Sequence, residues 1–231
     1  MPLFDERADE EVACWNRQLK THYKNRAPIV LKKTVRLFLQ TPTPIIADAL
    51  DGRNVLACLR PIVSDSNIAG PIVTVKTDPR DWGTVVRGIE QASAGEVLFI
   101  DSAASNVAVW GGLTSQAAQH RGLLGTIVNG SCRDISTVEA LRYPVWAKAV
   151  TARAGKPLNK GKVNVPITVS GVSVRPHDLA KADAHGVVIV PADEVEKVAK
   201  TVIEIIKKEH IIETGIKNGR TLSELLSLFP S

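Results

Sequence analysis

The stretch Leu124-Gly125-Thr126-Ile127-Val128-Asn129-Gly130-Ser131-Cys132-Arg133-Asp134 decides the fold that we predict for this chain. Its apolar part, residues 124–128, is typical of a strand buried on both faces of a sheet. The residues that follow predict an open turn exposing Arg133 and Asp134, and residues 135–141 predict a helix. A strand followed by a helix in this way suits a parallel sheet.

The residues before this stretch show the same alternation. Residues 70–75 and 97–101 are apolar runs that predict strands, and residues 82–94 and 114–121 predict the helices between them. We therefore predict an α/β fold whose central strands are parallel and buried on both faces.

The two ends of the chain predict additional elements. The first forty residues suggest two short helices divided by Pro28, and Thr43 is a natural N-cap for a helix over residues 45–50 with Pro44 at its first position. Residues 163–169, 172–174 and 187–190 are short β runs typical of a curled antiparallel meander. A long amphipathic helix over residues 195–213, with Val198 and Val202 on one face, and a last helix over 221–228 complete the prediction.

Length and composition bound the class of protein. The chain has 231 residues, 44% of them hydrophobic and 23% charged, which suits one domain with one large core. No run reaches the roughly 18 apolar residues that a membrane helix needs, and the first residues lack a signal pattern, so we expect a cytoplasmic protein without membrane contact. Its three cysteines, Cys14, Cys58 and Cys132, form no disulfide or zinc pattern.

The net charge of +5 is unevenly distributed. Residues 140–177 contain no acidic residue, and they carry seven basic ones: Arg142, Lys148, Arg153, Lys156, Lys160, Lys162 and Arg175. This segment is interpreted either as a loop with solvated basic side chains or as a patch for phosphate or RNA.

Two neighbouring side chains suit the binding of a small acid. Arg133 can grip a carboxylate through two parallel hydrogen bonds, and Asp134 can hold a hard divalent cation. Gly111 and Gly112 precede a predicted helix, where missing Cβ atoms allow an anion to approach unpaired N–H groups. Structural interpretations remain open, since the glycines also suit a tight turn and Asp134 could cap the following helix.

Other reactive side chains have weaker claims to a role. Asp101 ends an apolar strand and is predicted to support the site indirectly or to cap the next turn. Cys132 has no histidine near it in sequence to act as a base, so we interpret it as a packing residue. His120 is interpreted as a favourable cation at a helix C-terminus.

The order of these motifs resembles the RraA-like family, which includes 4-hydroxy-4-methyl-2-oxoglutarate aldolases. The resemblance covers residues 41–192 and includes an offset of 22 residues from Gly111 to Arg133. It rests on the segments Ala47-Asp48-Ala49-Leu50, Gly70-Pro71-Ile72-Val73-Thr74-Val75, Trp110-Gly111-Gly112-Leu113, Arg121-Gly122-Leu123-Leu124-Gly125-Thr126-Ile127-Val128-Asn129-Gly130 and Arg133-Asp134.

The resemblance implies a swivelling β/β/α fold in a single domain, 1–231, with a helical extension over residues 1–40 and C-terminal helices over 193–231. It also implies a homotrimer, or a hexamer formed by two trimers, with the site near a subunit boundary. By position, Arg133 would bind a 2-oxo acid and Asp134 would hold Mg²⁺ or Mn²⁺. The backbone pocket for that acid would come from Gly111, Gly112, Leu113 and Thr114.

The implied activity is that of a lyase. A metal chelated by the carboxylate and keto oxygens of a pyruvate-like unit stabilises the enolate that forms when the adjacent carbon–carbon bond breaks. Retro-aldol cleavage of 4-hydroxy-4-methyl-2-oxoglutarate and decarboxylation of oxaloacetate share this enolate, so one site could serve both.

A second function stays open. Many family members carry Asp or Glu in place of Gly112, an acid thought to orient metal-bound water, and glycine cannot do this. Some RraA proteins instead inhibit ribonuclease E by protein contact, and the basic segment 140–177 would suit an RNA-processing partner or RNA. Asp183 is a candidate for the residue that a neighbouring subunit contributes.

Overall fold

The computed structural model describes the backbone of residues 28–227 and the side chains of residues 32–227. The strands in this part of the chain are β1 Val55–Leu56, β2 Arg60–Pro61, β3 Ile68–Lys76, β4 Val97–Asp101, β5 Ala108–Trp110, β6 Gly125–Cys132, β7 Val145–Val150, β8 Lys162–Val163, β9 Ile167–Val169, β10 Val172–Val174, β11 Leu179–Asp183 and β12 Gly186–Val190. The helices are α1 Pro28–Gln40, α2 Thr43–Asp48, α3 Gly83–Gln91, α4 Gly112–His120, α5 Ile135–Leu141, α6 Val195–Lys217 and α7 Leu222–Leu226.

The centre of the main sheet is parallel, as predicted. Strands β3, β4, β6 and β7 are neighbours in this order, and Asp101 of β4 lies opposite both Lys76 of β3 and Asn129 of β6. The carboxyl ends of β3 and β4 therefore lie level with Asn129, at the edge of the sheet where open α/β folds bind ligands. Strands β11, β12 and β1 extend the sheet beyond β3, each antiparallel to the strand before it, whereas β9 and β10 form a separate hairpin.

The core lies on both faces of this sheet. Along β4, Leu98 and Ile100 pack towards α3 and α5, while Val97 and Phe99 pack on the opposite face with the β9–β10 hairpin. Successive side chains of a strand point to opposite faces of the sheet, so a strand that is covered on both faces needs apolar residues at every position. The prediction of doubly buried central strands is confirmed, because every residue of β4 and β6 is buried.

A third apolar cluster joins the N- and C-terminal helices to the antiparallel edge. Phe38 of α1, Ile46 of α2 and Val198 and Val202 of α6 pack there against Val188 of β12. The predicted amphipathic helix is confirmed and extends to Lys217. Of the two predicted N-terminal helices, one lies outside the described residues, and the other begins at Pro28, in agreement with the division predicted at this proline. Within the described residues no helix combines the length and apolarity needed to span a bilayer.

The predicted cap of α2 is wrong in one respect. Thr43 is the first helical residue, not the N-cap, and its hydroxyl and N–H both donate to the carboxylate of Asp183, at 2.7 and 2.8 Å. A carboxylate at the end of β11 thus caps this helix from 140 residues away. Sequence reasoning about local capping could not detect a cap supplied by a distant strand.

The strand β11 was missed because its sequence, Leu-Ala-Lys-Ala-Asp, is not typical of a strand. β11 contains Lys181, which is buried and donates to the side chain of Asn67 and to the carbonyl of Leu39 at 3.4 Å. Burial lowers the pKa of Lys181 to about 8, an effect that Asp183 opposes. β6 was predicted too short, since it continues to Cys132 where an open turn was expected.

The basic segment is held to the body of the protein by one buried carboxylate, that of Asp81. It accepts hydrogen bonds of 2.6 to 2.9 Å from four backbone N–H groups and a hydroxyl. These donors are Gly83 N, Leu158 N, Asn159 N, Lys160 N and Thr84 Oγ1. All seven basic side chains of the segment are exposed, which agrees with the solvated interpretation, but the backbone of residues 158–160 is fixed.

We predict that Asp81→Asn destabilises the protein by about 2–4 kcal/mol, because an amide NH₂ group would face buried donors that lose their acceptor. Urea unfolding measures this loss. Asp78→Asn is the matched control, since Asp78 has a partly exposed side chain and a 3.8 Å pair with Arg80, and it should cost less than about 1 kcal/mol. Equal losses in the two variants would contradict the role given to Asp81.

The same carboxylate predicts a pH dependence of stability. Burial alone raises the pKa of Asp81, but the hydrogen bonds from Thr84, Asn159, Lys160 and Gly83 outweigh it and hold the pKa far below 3.8. The unfolded chain then takes up a proton near pH 3.8 that the folded chain does not, so this stability is complete above pH 4 and decreases as the pH falls. Between pH 5 and pH 2.5, wild type should lose more unfolding free energy than Asp81→Asn.

Candidate functional site

Arg133 and Asp134 lie where β6 ends and α5 begins. The N–H of Arg133 donates to the carbonyl of Trp110 at 3.0 Å, which ties the end of β6 to β5. Asp134 is the N-cap residue of α5 and has a left-handed backbone, φ 55°. Such a conformation is uncommon for residues with a side chain, and asparagine and aspartate tolerate it best. The backbone therefore directs both side chains to the same side of the strand end.

The two side chains meet the start of α4. Arg133 Nε lies 3.3 Å from Asp134 Oδ2, and the same oxygen accepts from the N–H of Gly112 at 3.3 Å. A Cβ atom on Gly111 would lie 2.8 Å from Asp134 Oδ2 and 3.1 Å from Arg133 Cγ. A glycine at position 111 is thus what allows the Arg-Asp pair to pack against the beginning of the helix.

The first amides of α4 are only partly open. The N–H of Gly111 donates to Thr114 Oγ1 at 2.9 Å, and that of Gly112 donates to Asp134. The expectation that both glycine amides are unpaired is therefore wrong. The N–H groups of Leu113 and Thr114 have no hydrogen bond within residues 28–227, as expected for the first turn of a helix, and they remain open to an anion.

These groups line one cleft of about 450 Å³. Five of the six predicted site residues contribute to it, the exception being Gly112. The five are Gly111, Leu113, Thr114, Arg133 and Asp134. The remaining walls come from α3, β5 and the rest of α4, with Trp82, Val86 and Val109 among their residues. Residues separated by about fifty positions in sequence thus share one concave surface, which is the usual form of a ligand site.

The chain is similar to known proteins over most of its length. The family described as RraA-like, aldolase/RraA, matches residues 43–189. The chain belongs to the RraA-like family. An uncharacterised protein of Methanocaldococcus jannaschii is 32% identical over 203 residues, 87% of this chain and 97% of that protein. A 4-hydroxy-4-methyl-2-oxoglutarate aldolase of Thermus thermophilus is 32% identical over 127 residues, 54% of this chain and 77% of the aldolase.

Solved structures show the same fold. The crystal structure of an uncharacterised protein from Pseudomonas syringae has a TM-score of 0.77 at 25% identity, covering 86% of this chain and 94% of the other. The structure of the RNA-processing inhibitor RraA from Thermus has a TM-score of 0.61 at 27% identity, covering 66% and 93%. The mixed α/β fold that the resemblance implied is confirmed.

Gly112 packs closely against the first turn of α5. A Cβ atom on Gly112 would lie 2.8 Å from Thr137 Cγ2 and 3.1 Å from Thr137 Cβ. The first turn of α5 therefore occupies the space into which a side chain at position 112 would extend. A side chain at position 112 would require Thr137 to shift.

Asp134 suits a weakly held Mg²⁺ or Mn²⁺. Its side chain is 42% exposed, and its Oδ1 atom has no hydrogen bond among the described residues. Within residues 28–227 no group of three or more His, Cys, Asp or Glu converges to hold a metal. A single carboxylate still fits Mg²⁺, which keeps several waters and takes further oxygen ligands from its substrate.

The other candidates lie outside this cleft. The carboxylate of Asp101 accepts from Asn129 Nδ2 at 2.8 Å and Ala103 N at 3.0 Å, so it fastens the turn after β4. Asp183 caps α2 and lies near the start of β3, at the opposite end of the sheet from Arg133. The predicted packing role of Cys132 is supported by its complete burial.

Sequence reasoning missed most of the apolar wall. Trp82, Val86 and Ile89 are spaced by four and three residues, a pattern equally typical of a helix face that packs into a core. His120, interpreted as a helix-end cation, also lines the outer rim together with Arg121 and Glu90. The spacing alone could not show that this face of α3 borders a cleft.

We predict that Cys132 resists thiol reagents in the folded protein. Burial raises its pKa to about 12, although a hydrogen bond with the backbone of Arg133 acts in the opposite direction. The exposed Cys58 serves as the internal control. Peptide mass spectrometry after iodoacetamide treatment at pH 8 should find Cys58 modified and Cys132 unmodified, and both modified in denaturant. Modification of Cys132 at a rate comparable to that of Cys58 would contradict this.

Proposed function

We propose that this RraA-like protein is a divalent-metal-dependent lyase that cleaves a carbon–carbon bond of a 2-oxo acid and releases pyruvate. The observation that carries the proposal is the meeting of Arg133, Asp134 and the open amides of α4 in one cleft. A cation-binding carboxylate beside a carboxylate-binding guanidinium suits an acid with a keto oxygen next to its carboxyl group.

In this proposal each group has a separate task. Arg133 binds the substrate carboxylate through its Nη atoms, which have no hydrogen bond among the described residues because the contact with Asp134 uses Nε. The N–H groups of Leu113 and Thr114 lie at the positive end of α4 and add hydrogen bonds to the same anion. Asp134 holds the cation, which when bound supplies Lewis acidity that stabilises negative charge developing on the keto oxygen.

The positions of the other ionisable residues in the cleft bear on how the proton is supplied. Glu90 of α3 and His120 and Arg121 at the end of α4 are the other lining residues with ionisable side chains. The end of α4 lies about 12 Å from its start at 1.5 Å per residue. These residues are too distant to protonate the pyruvate carbon directly. Solvent water entering the open cleft is therefore the proton source in this proposal.

The activity test is pyruvate release from oxaloacetate and from 4-hydroxy-4-methyl-2-oxoglutarate, with Mg²⁺ and with EDTA, followed through lactate dehydrogenase. We expect metal-dependent release by wild type, with kcat/KM reduced about 10- to 100-fold or more in Arg133→Ala. This loss corresponds to about 1.5–3 kcal/mol, the contribution of a charge-assisted hydrogen bond between the guanidinium and the substrate carboxylate. Asp134→Asn should raise the Mg²⁺ concentration needed for half-maximal rate.

Arg220→Ala is the matched control, because Arg220 is an exposed arginine after α6 that does not line the cleft. It should leave kcat/KM within twofold of wild type. Wild-type rates in Arg133→Ala, or release that EDTA does not reduce, would reject the proposed roles of the two residues.

A regulatory function is the second candidate, supported by the likeness to the RNA-processing inhibitor RraA and by the seven exposed basic side chains of residues 140–177. A segment that exposes seven basic side chains and contains no acidic residue suits a partner that carries phosphate or acidic side chains. Absence of pyruvate release together with inhibition of a ribonuclease E-type enzyme would favour this function over the lyase.

The homotrimer or hexamer implied by the resemblance stays a prediction. The position of Leu113 supports this assembly, since its large apolar side chain is 83% exposed at the edge of the cleft. Contact with a second copy would remove this apolar surface from water, which is stabilising. An assembly that brings a second copy to this edge would place the site near a subunit boundary.

A further inference from the structure

The cleft is larger than the unit that Arg133 and Asp134 bind. A pyruvate unit has six heavy atoms and displaces about 100 Å³, roughly the space of three or four waters at 30 Å³ each. The cleft has a volume of about 450 Å³. Most of the cleft therefore lies beyond Arg133 and Asp134, where the acid binds. The residues that line this larger part define the rest of the substrate.

The wall beyond the corner is apolar. Val86 of α3 and Trp82, the residue before α3, are half-buried and line the cleft. The buried Ile89 of α3 also lines it. Val109 of β5 and Ala117 of α4 complete this wall. Such a surface favours a hydrocarbon or aryl group, because each Å² of apolar area removed from water contributes about 25 cal/mol.

The charged residues that line the cleft lie in two groups, one at each end of α4. Arg133 and Asp134 lie at the start of α4, whereas His120 and Arg121 lie at its end, about 12 Å further along the helix axis. Arg121 is also engaged there, since its Nη2 donates to the carbonyls of Glu90 and Ala92 at 2.7 and 3.2 Å. The two carboxylates of a four- or five-carbon diacid are only about 4–5 Å apart, three or four bonds of about 1.5 Å. The other basic residues that line the cleft, His120 and Arg121, belong to the opposite end of α4.

We propose that the preferred substrates are 4-hydroxy-2-oxo acids whose C4 carries an apolar aryl or branched aliphatic group instead of a second carboxylate. This inference rests on the proposed lyase function. The C3–C4 bond breaks, its electron pair remains on C3 as the pyruvate enolate, and the C4 hydroxyl loses its proton as a carbonyl forms. C3 then takes up one proton, so the products are pyruvate and an apolar aldehyde or ketone, with no oxidant or reductant required.

Binding can be tested without turnover. Isothermal titration calorimetry of the full-length protein in Mg²⁺ would compare pyruvate, 4-methyl-2-oxopentanoate, phenylpyruvate and 2-oxoglutarate. We expect the two apolar acids to bind at least tenfold more tightly than pyruvate, and 2-oxoglutarate to gain less than threefold over pyruvate. Tighter binding of 2-oxoglutarate than of phenylpyruvate would overturn the inference.

A matched pair of variants on α4 locates the apolar group. Ala117 and Gln116 are both exposed neighbours on this helix, and only Ala117 lines the cleft. Ala117→Asp should weaken phenylpyruvate at least tenfold and leave pyruvate within twofold, whereas Gln116→Asp should change neither. Equal effects of the two substitutions on phenylpyruvate would reject the proposed position, and circular dichroism of both variants checks that the fold is retained.

An activity comparison separates this inference from the function on which it rests. Pyruvate release from 4-hydroxy-2-oxo-4-phenylbutanoate should exceed that from 4-hydroxy-4-methyl-2-oxoglutarate at least tenfold in kcat/KM. Cleavage of the diacid alone would overturn the inference and keep the lyase function. Tight binding of the apolar acids with no cleavage of any substrate would support the cleft's specificity and reject the lyase function.

Discussion

The site depends on one close approach, that of the Asp134 carboxylate to the backbone of Gly111 and Gly112. The hydrogen bond from Gly112 N–H to Asp134 Oδ2 joins the start of α4 to the end of β6. This contact is possible because Asp134 has a left-handed backbone and because no Cβ atom at position 111 blocks it. Since Arg133 packs over the same glycine, loss of this approach would separate the guanidinium, the carboxylate and the open amides.

A second constraint fixes the opposite wall of the cleft. The carboxylate of Asp81 lies next to Trp82 in sequence and accepts hydrogen bonds from the basic segment at residues 158–160. The N–H of Trp82 in turn donates to the carbonyl of Lys156 at 3.1 Å. A buried carboxylate is stabilised by the donors that satisfy it, so Asp81 and Trp82 tie the backbone of residues 156–160 to the apolar wall.

The cleft therefore has two halves with different chemistry. One half contains Arg133 and Asp134, to which we assign the binding of an acid and a cation. The other half is lined by Trp82, Val86 and Val109 and contributes apolar surface. We propose that the first half binds the reacting unit and that the second selects the substrate, because specificity comes from contacts beyond the reacting atoms.

The sequence by itself determined the parallel centre of the sheet, the long C-terminal helix and the Arg133-Asp134 pair at a strand end. These features depend on local patterns: apolar runs, helical spacing and two adjacent side chains. The tertiary structure alone decided which distant groups satisfy each other, such as Asp183 capping Thr43, Lys181 bonding to Asn67 and Thr137 filling the space beside Gly112. It also decided that one face of α3 borders a cleft. Contacts between residues far apart in sequence leave no periodic signal, because each partner alone looks like an ordinary polar or apolar residue.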